Sequence, residues 1–214
     1  MQREMKQIIN ALIFIVILIV GWFLPLLGFF IPLCMLLGFA IGLFKGRKWC
    51  DWLCPRGSFY DTLGRVVPSR KNIPFEFRKI YFRLIVLIFL MIVMAVNLLS
   101  RWPYPGKMGA FFVVMLTSTT VFGVIMAFLF HSRSWCMICP IGTIIKITAR
   151  LRNLLSIDSG LCIECKKCFD VCPVQIKPYE YKSAGIQVIS DKDCLKCGSC
   201  IKVCPKKALF FPQK

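Results

Sequence analysis

The apolar stretch over residues 8–44 sets the strongest limit on how this chain can fold. It is nearly unbroken, and it is too long for one membrane crossing, because about 20 residues span the hydrocarbon core. Gly21, Pro25, Gly28 and Pro32 interrupt it. The expected result is a tight hairpin, with one helix near 8–24 and a second near 26–44. Two further spans are expected at about 80–99 and 110–130. A cleaved secretory leader over the first span fits less well, since no small-residue cleavage site follows and a second apolar span begins at once. A hydrophobic content of 57% and a mean hydropathy of +0.70 agree with a membrane protein rather than a soluble globule.

Charge orients the spans. The segment 45–83 is rich in cations: Lys45, Arg47, Lys48, Arg56, Arg65, Arg70, Lys71, Arg78 and Lys79. The loop after the third span has Arg101 and Lys107, and the first hairpin turn has no charge. The positive-inside rule then puts both termini and the C-terminal region on the cytoplasmic side of the cell membrane. Trp102 and Tyr104 fit the aromatic belt at the far side. The chain holds 28 Lys+Arg against 10 Asp+Glu, a formal +18. That excess flanks apolar helices and accompanies no nucleic-acid motif, so the expected partner is the membrane and not a nucleic acid.

Spacing gives the 13 cysteines a use. Cys162, Cys165 and Cys168 are followed by Cys172-Pro173, and Cys194, Cys197 and Cys200 by Cys204-Pro205. The run C-x2-C-x2-C-x3-C-P thus occurs twice. Zinc ribbons use two separated Cys-x-x-Cys pairs instead. In two-cluster iron–sulfur proteins the first three thiolates of such a run hold one cube and the fourth ligates the other. The expected [4Fe–4S] ligand sets are Cys162, Cys165, Cys168 and Cys204 for one cluster, and Cys194, Cys197, Cys200 and Cys172 for the second. Residues from about 157 onward resemble a bacterial two-cluster ferredoxin, a domain that carries single electrons and binds no substrate of its own. Lys166, Lys167, Lys192, Lys196, Lys202, Lys206 and Lys207 lie close to these cysteines. They can raise cluster potential, solvate the surface or attract an acidic partner.

A second constellation comes from an internal repeat. "LFKGRKWCDWLCPRGS" over 43–58 and "LFHSRSWCMICPIGT" over 129–143 coincide at Leu, Phe, Arg, Trp, Cys, Cys-Pro and Gly with one gap. The membrane part therefore reads as a helical hairpin plus a cytoplasmic motif, used twice in the same orientation. The pair brings Cys50, Cys54, Cys136 and Cys139 into one candidate site. A third metal centre, structural zinc, docking or free thiols are all open readings. Amphipathic segments follow at about 58–67 and 143–155, with Arg65, Lys146, Arg150 and Arg152 on the wet side.

Together these features resemble the NapH-type family of membrane polyferredoxins. Members share four or more transmembrane helices, paired "WCxxxCP" motifs and a C-terminal ferredoxin domain. The second motif here has two residues between its cysteines rather than three. The resemblance implies an electron-transfer subunit, linking a redox protein partner or multisubunit membrane complex to the quinone pool. It implies a component of an oxidoreductase complex rather than a stand-alone catalyst. An assembly or regulatory redox factor for a metalloenzyme is the alternative. The expected fold is an α-helical membrane protein, with four transmembrane helices in two parallel hairpin repeats over 1–155. A small α+β two-[4Fe–4S] ferredoxin domain follows over 156–214.

Other residues carry plainer expectations. Trp49, Trp52 and Trp135 read as interfacial anchors. Cys34 reads as a small buried hydrophobe, and His131 as an interfacial histidine without a special role. Asn97 and Thr117, Ser118, Thr119 and Thr120 read as donors between helices.

Overall fold

The computed structural model describes residues 2–66, 72–148 and 154–212. Arg70, Lys71, Arg150 and Arg152, which figure in the expectations above, lie outside the described residues. The first helix, α1 (Gln2–Gly21), leads through a 3-10 turn (Pro25–Phe29) into α2 (Phe30–Lys45). Two short helices follow, α3 (Lys48–Trp52) and α4 (Pro55–Val66). The pattern then recurs with α5 (Ile80–Ser100), α6 (Pro105–Leu129), α7 (Ser134–Ile138) and α8 (Pro140–Thr148). Among the described residues four helices are long and apolar enough to cross a membrane: Arg3–Gly21, Pro25–Lys45, Ile80–Ser100 and Pro105–Leu129. Their outward side chains, among them Leu12, Val16, Ile85 and Ile88, are exposed apolar groups suited to lipid. This is the build of a multi-pass membrane protein.

Helix α1 begins six residues before the expected start because its polar first turns are anchored. Arg3 pairs with Asp51 at 2.6 Å, and Gln7 Nε2 donates to Asp61 Oδ2 at 2.6 Å. Prolines open α4, α6 and α8, where a missing N–H costs nothing and the fixed φ suits a first turn. The two halves pack in one pattern. Helix α4 lies against α1 and α6, and α8 lies against α5 and α2. Each short amphipathic helix thus touches the first helix of its own half and the second helix of the other.

The hairpin ends meet through glycine. A Cβ on Gly28 would stand 2.1 Å from the Gly109 carbonyl oxygen, and one on Gly109 2.2 Å from that of Pro25. Small residues permit such a backbone approach in lipid. Gly109→Val is therefore expected to lower stability in detergent by about 1–3 kcal/mol, as overpacking does. A thermal midpoint equal to wild type would contradict this contact.

The polar side chains expected to bond between helices bond within their own helices instead. Asn97, Thr117, Ser118, Thr119 and Thr120 donate to carbonyls one turn earlier in their own helices, at 2.6–2.9 Å. The reason is geometric: the i−4 carbonyl is always within reach of a short side chain, and Thr117, Ser118, Thr119 and Thr120 point to every side of α6.

The C-terminal part is a small sheet with two helical turns. Strands β1 (Ser156–Asp158), β2 (Ile186–Val188) and β3 (Leu209–Phe210) form an antiparallel sheet in the order β2-β1-β3. Helices α9 (Lys167–Asp170) and α10 (Ser199–Val203) follow the cysteine loops. Ile157, Val174, Ile176, Ile189, Leu195 and Leu209 are buried in its core.

Candidate iron–sulfur centres

The two cysteine runs fold as matching loops. Glu164 and Lys196, Lys166 and Gly198, and Gln175 and Lys207 occupy equivalent places in the two runs, and all have positive φ. Repeated left-handed residues curl a loop and turn successive N–H groups inward, the geometry of an anion-binding nest. Cys162, Cys165, Cys168 and Cys204 line one cavity, walled by Ile157 and Leu209. Cys172, Cys194, Cys197 and Cys200 line a second, walled by Leu155, Val174 and Leu195. The chain thus brings each fourth cysteine to the opposite run.

The donor chemistry suits a cluster at both places. The Ile176 N–H donates to Cys172 Sγ and the Ala208 N–H to Cys204 Sγ, each at 3.3 Å and each four residues past its cysteine. Burial pushes the Cys172 and Cys194 thiols up to about 11. Thiolates in so apolar a place require bound cationic metal, which deprotonates a coordinating thiol outright. Among the described residues, no three His, Cys, Asp or Glu side chains are set closely enough for a single metal ion.

The membrane-face motifs form a third apolar cavity. Its lining includes Cys50, Cys54, Cys136 and Cys139, with Trp49, Trp135, Arg56, Gly57 and Gly142. Two buried arginines cross between the halves. Arg47 donates to the Cys136 carbonyl at 2.7 Å, and Arg133 donates to the Cys50 carbonyl at 2.9 Å. Glycine makes room for each: a Cβ on Gly57 would lie 3.0 Å from Arg133, and one on Gly142 3.1 Å from Arg47. Arg56 stacks over the Trp135 ring at 4.8 Å. Burial raises the Cys50 thiol, and raises Cys136 to about 11 against the opposing pull of Arg133. Burial would lower the Arg133 guanidinium, but Asp61, at 2.6 Å, holds it well above its ordinary value. Three cations and four thiols around one apolar space suit an anionic sulfur-rich group. The buried Trp49 and Trp135 indole N–H groups have no hydrogen-bond partner among the described residues. The Gly57 N–H already reaches Cys54 Sγ at 3.4 Å.

Trp49 and Trp135 are therefore not interfacial anchors. They are 6% and 4% exposed and wall the cysteine cavity, as the repeat position before each first cysteine makes sterically natural. Trp22, Trp102 and Tyr104, at the opposite helix ends, are exposed. Lys146 is likewise not simply on a wet face, since it pairs with Asp193 at 2.8 Å. Cys34 is half-buried in α2, and His131 Nδ1 accepts locally from the Arg133 N–H.

Carboxylates that sequence reasoning passed over tie the parts together. Asp193, just before Cys194, is buried and receives Arg47 at 2.6 Å, Arg83 at 2.7 and 2.9 Å, and Lys146. Arg3 reaches both Asp51, beside Cys50, and Ser199 Oγ, between Cys197 and Cys200. Arg78 caps the Val174 and Gln175 carbonyls at 2.6 Å. The second loop, with Cys194 and Cys197, is thus the one locked to the helical region.

Comparison with known proteins matches this geometry. A family described as "4Fe-4S binding domain" matches twice, over residues 27–74 and 109–158. One described as "4Fe-4S dicluster domain" matches residues 154–205. An uncharacterised protein of Methanocaldococcus jannaschii is 26% identical over 81% of this chain and 75% of its own length. YccM of Escherichia coli, provisionally named an electron transport protein, is 29% identical over 64% of this chain and 44% of its own length. A second uncharacterised M. jannaschii protein is 25% identical over 64% of this chain and 63% of its own. No solved structure matches. The chain therefore carries 4Fe–4S binding domains of two families, one matched in each half of its helical region and the other, the dicluster domain, matched after it.

Proposed function

We propose that this chain is a membrane-bound iron–sulfur electron carrier of the NapH type. It relays single electrons between a redox partner and an acceptor in the bilayer, for which the resemblance implies quinone or an associated membrane complex. The two ferredoxin-type sets, Cys162/Cys165/Cys168/Cys204 and Cys172/Cys194/Cys197/Cys200, each hold a [4Fe–4S] cluster. Cys50, Cys54, Cys136 and Cys139 hold a third, shared between two parallel hairpin repeats. Both termini and the dicluster domain lie on the cytoplasmic side. The twofold match of one 4Fe–4S family supports the repeat, and so does the reciprocal exchange of Arg47 and Arg133. Bound clusters supply one-electron capacity. The protein's own part is to bury them, to offset their negative charge with Arg47, Arg56 and Arg133, and to hold them at fixed separations.

One observation carries the relay reading: Arg47 touches both the Cys136 carbonyl and Asp193, so a single buried side chain joins the membrane-face site to the second ferredoxin loop. The name of YccM, an electron transport protein by provisional title, agrees. An EPR-monitored redox titration of anaerobically purified protein tests it. Signals that cycle reversibly in the physiological range are expected, whereas clusters that never change state would leave only a structural role. The same titration checks ligation. Cys172→Ser should abolish the signal that Cys194→Ser abolishes and spare the one lost in Cys162→Ser. Loss of the latter signal instead would show uncrossed ligation.

A further inference from the structure

The two ferredoxin loops have the same fold and opposite surroundings. Leu195, in the second loop, is 2% exposed, whereas Ile163, its equivalent in the first, is 58% exposed. The residue before the first cysteine differs likewise: Asp193 is buried under Arg47, Arg83 and Lys146, while Leu161 is 48% exposed. Cys165 is exposed, whereas its equivalent Cys197 is only partly so. The chain itself covers the second loop. The matching apolar surface of the first loop is left uncovered, directly over a candidate cluster site.

We propose that this open face, built from Leu161, Ile163 and Cys165, is the docking surface for a small acidic one-electron carrier protein. Charge complementarity selects that occupant. Lys166, Lys167, Lys206 and Lys207 are exposed around the patch. The nearby acid Glu164 is matched by Lys182 at 2.7 Å. A ring of lysines about a small apolar centre steers an acidic partner and lets the apolar spot seal the contact. The inference rests on the relay reading and orders it: electrons pass between the partner and the Cys162/Cys165/Cys168/Cys204 site, then the Cys172/Cys194/Cys197/Cys200 site, then the membrane face. In the entry step one electron leaves the partner's reduced centre and one is gained at the first site. No bond forms or breaks, and no proton moves.

The test mixes the cluster-loaded full chain, in detergent, with a reduced acidic [2Fe–2S] ferredoxin in a stopped-flow instrument. The second-order rate should fall by at least about tenfold between about 50 and 500 mM salt, as screening of a steered encounter requires. Ile163→Glu and the double variant Lys167→Glu/Lys206→Glu should each slow it about tenfold or more. Their iron content and their reduction by dithionite should stay at wild-type values. Lys192→Glu, on the covered loop, should have little effect. Rates indifferent to salt and to all these changes, with dithionite reduction intact, would overturn the docking face while leaving the relay standing. A dimer lost in Ile163→Glu would overturn it in favour of a second copy as occupant. Failure of dithionite to reduce any cluster would overturn both.

Discussion

Anaerobically purified protein with its clusters loaded should contain about twelve iron and about twelve acid-labile sulfide per chain, four of each per [4Fe–4S] cluster. Cys54→Ser and Cys139→Ser should each bring both counts down to about eight, leaving the two ferredoxin-type EPR signals in place. The expectation follows from how the third cavity is built. Its four thiols come from two motifs that neither half could complete alone. Its walls are apolar, and burial keeps the metal-free thiols neutral. Arg47 and Arg133 stay charged there, each with a carboxylate partner at 2.6 Å. Such a site is badly balanced for free thiols and well balanced for an anionic cluster. About eight iron in the wild type, with about one zinc, would assign the cavity to zinc. About eight iron with no other metal would leave it a structural contact.

Much of this was legible in the sequence because the chemistry is local. Four cysteines at fixed short spacing, given twice, mark the two loops whose cysteines line the two cavities. Equivalent residues of the two motifs likewise stand in equivalent places: Arg47 and Arg133 cross over, and Gly57 and Gly142 clear their way. The four long helices were legible to within six residues at their ends, because hydropathy reads long apolar runs.

What escaped depends on pairings across the chain. Nothing in local pattern tells that Arg47 meets a carboxylate 146 residues away. A signal did exist. In a chain with 10 acidic residues against 28 basic ones, any carboxylate beside a candidate ligand is conspicuous. Asp51 follows Cys50, and Asp193 precedes Cys194. Both are buried, and the Asp61 partner of Arg133 is partly buried. The tryptophans misled for a different reason. The belt rule gives depth in the membrane, not whether an indole faces lipid or the protein interior, and both indoles turn inward onto the cysteines.

Asp193→Asn should detach the dicluster domain from the helical region. The carboxylate, with a side chain 3% exposed, meets Arg47, Arg83 and Lys146, and Arg47 and Arg83 are themselves fully buried. Amide substitution keeps the shape but leaves two buried guanidinium groups without a counter-charge. Breaking a buried pair from one side costs about 3–5 kcal/mol. Hydrogen exchange should then accelerate across residues 154–212 far more than in the spans, and protease should release that part as a fragment. Lys146→Met removes the one partly exposed partner and should cost much less. The pH dependence follows from the same contacts. Burial raises Asp193, but Arg47, Arg83 and Lys146 outweigh it and hold the carboxyl well below the usual carboxylate range. A group with a lowered folded-state value stabilises above its unfolded value of about 3.9, and that contribution is lost only as pH falls through the folded one. Docking should therefore be flat from about pH 8 down to about pH 5 and weaken only in stronger acid. In the Asn variant it should be weak throughout. Docking that loosened between pH 7 and 5 in the wild type would mean that Asp193 is not the anion on which the contact turns.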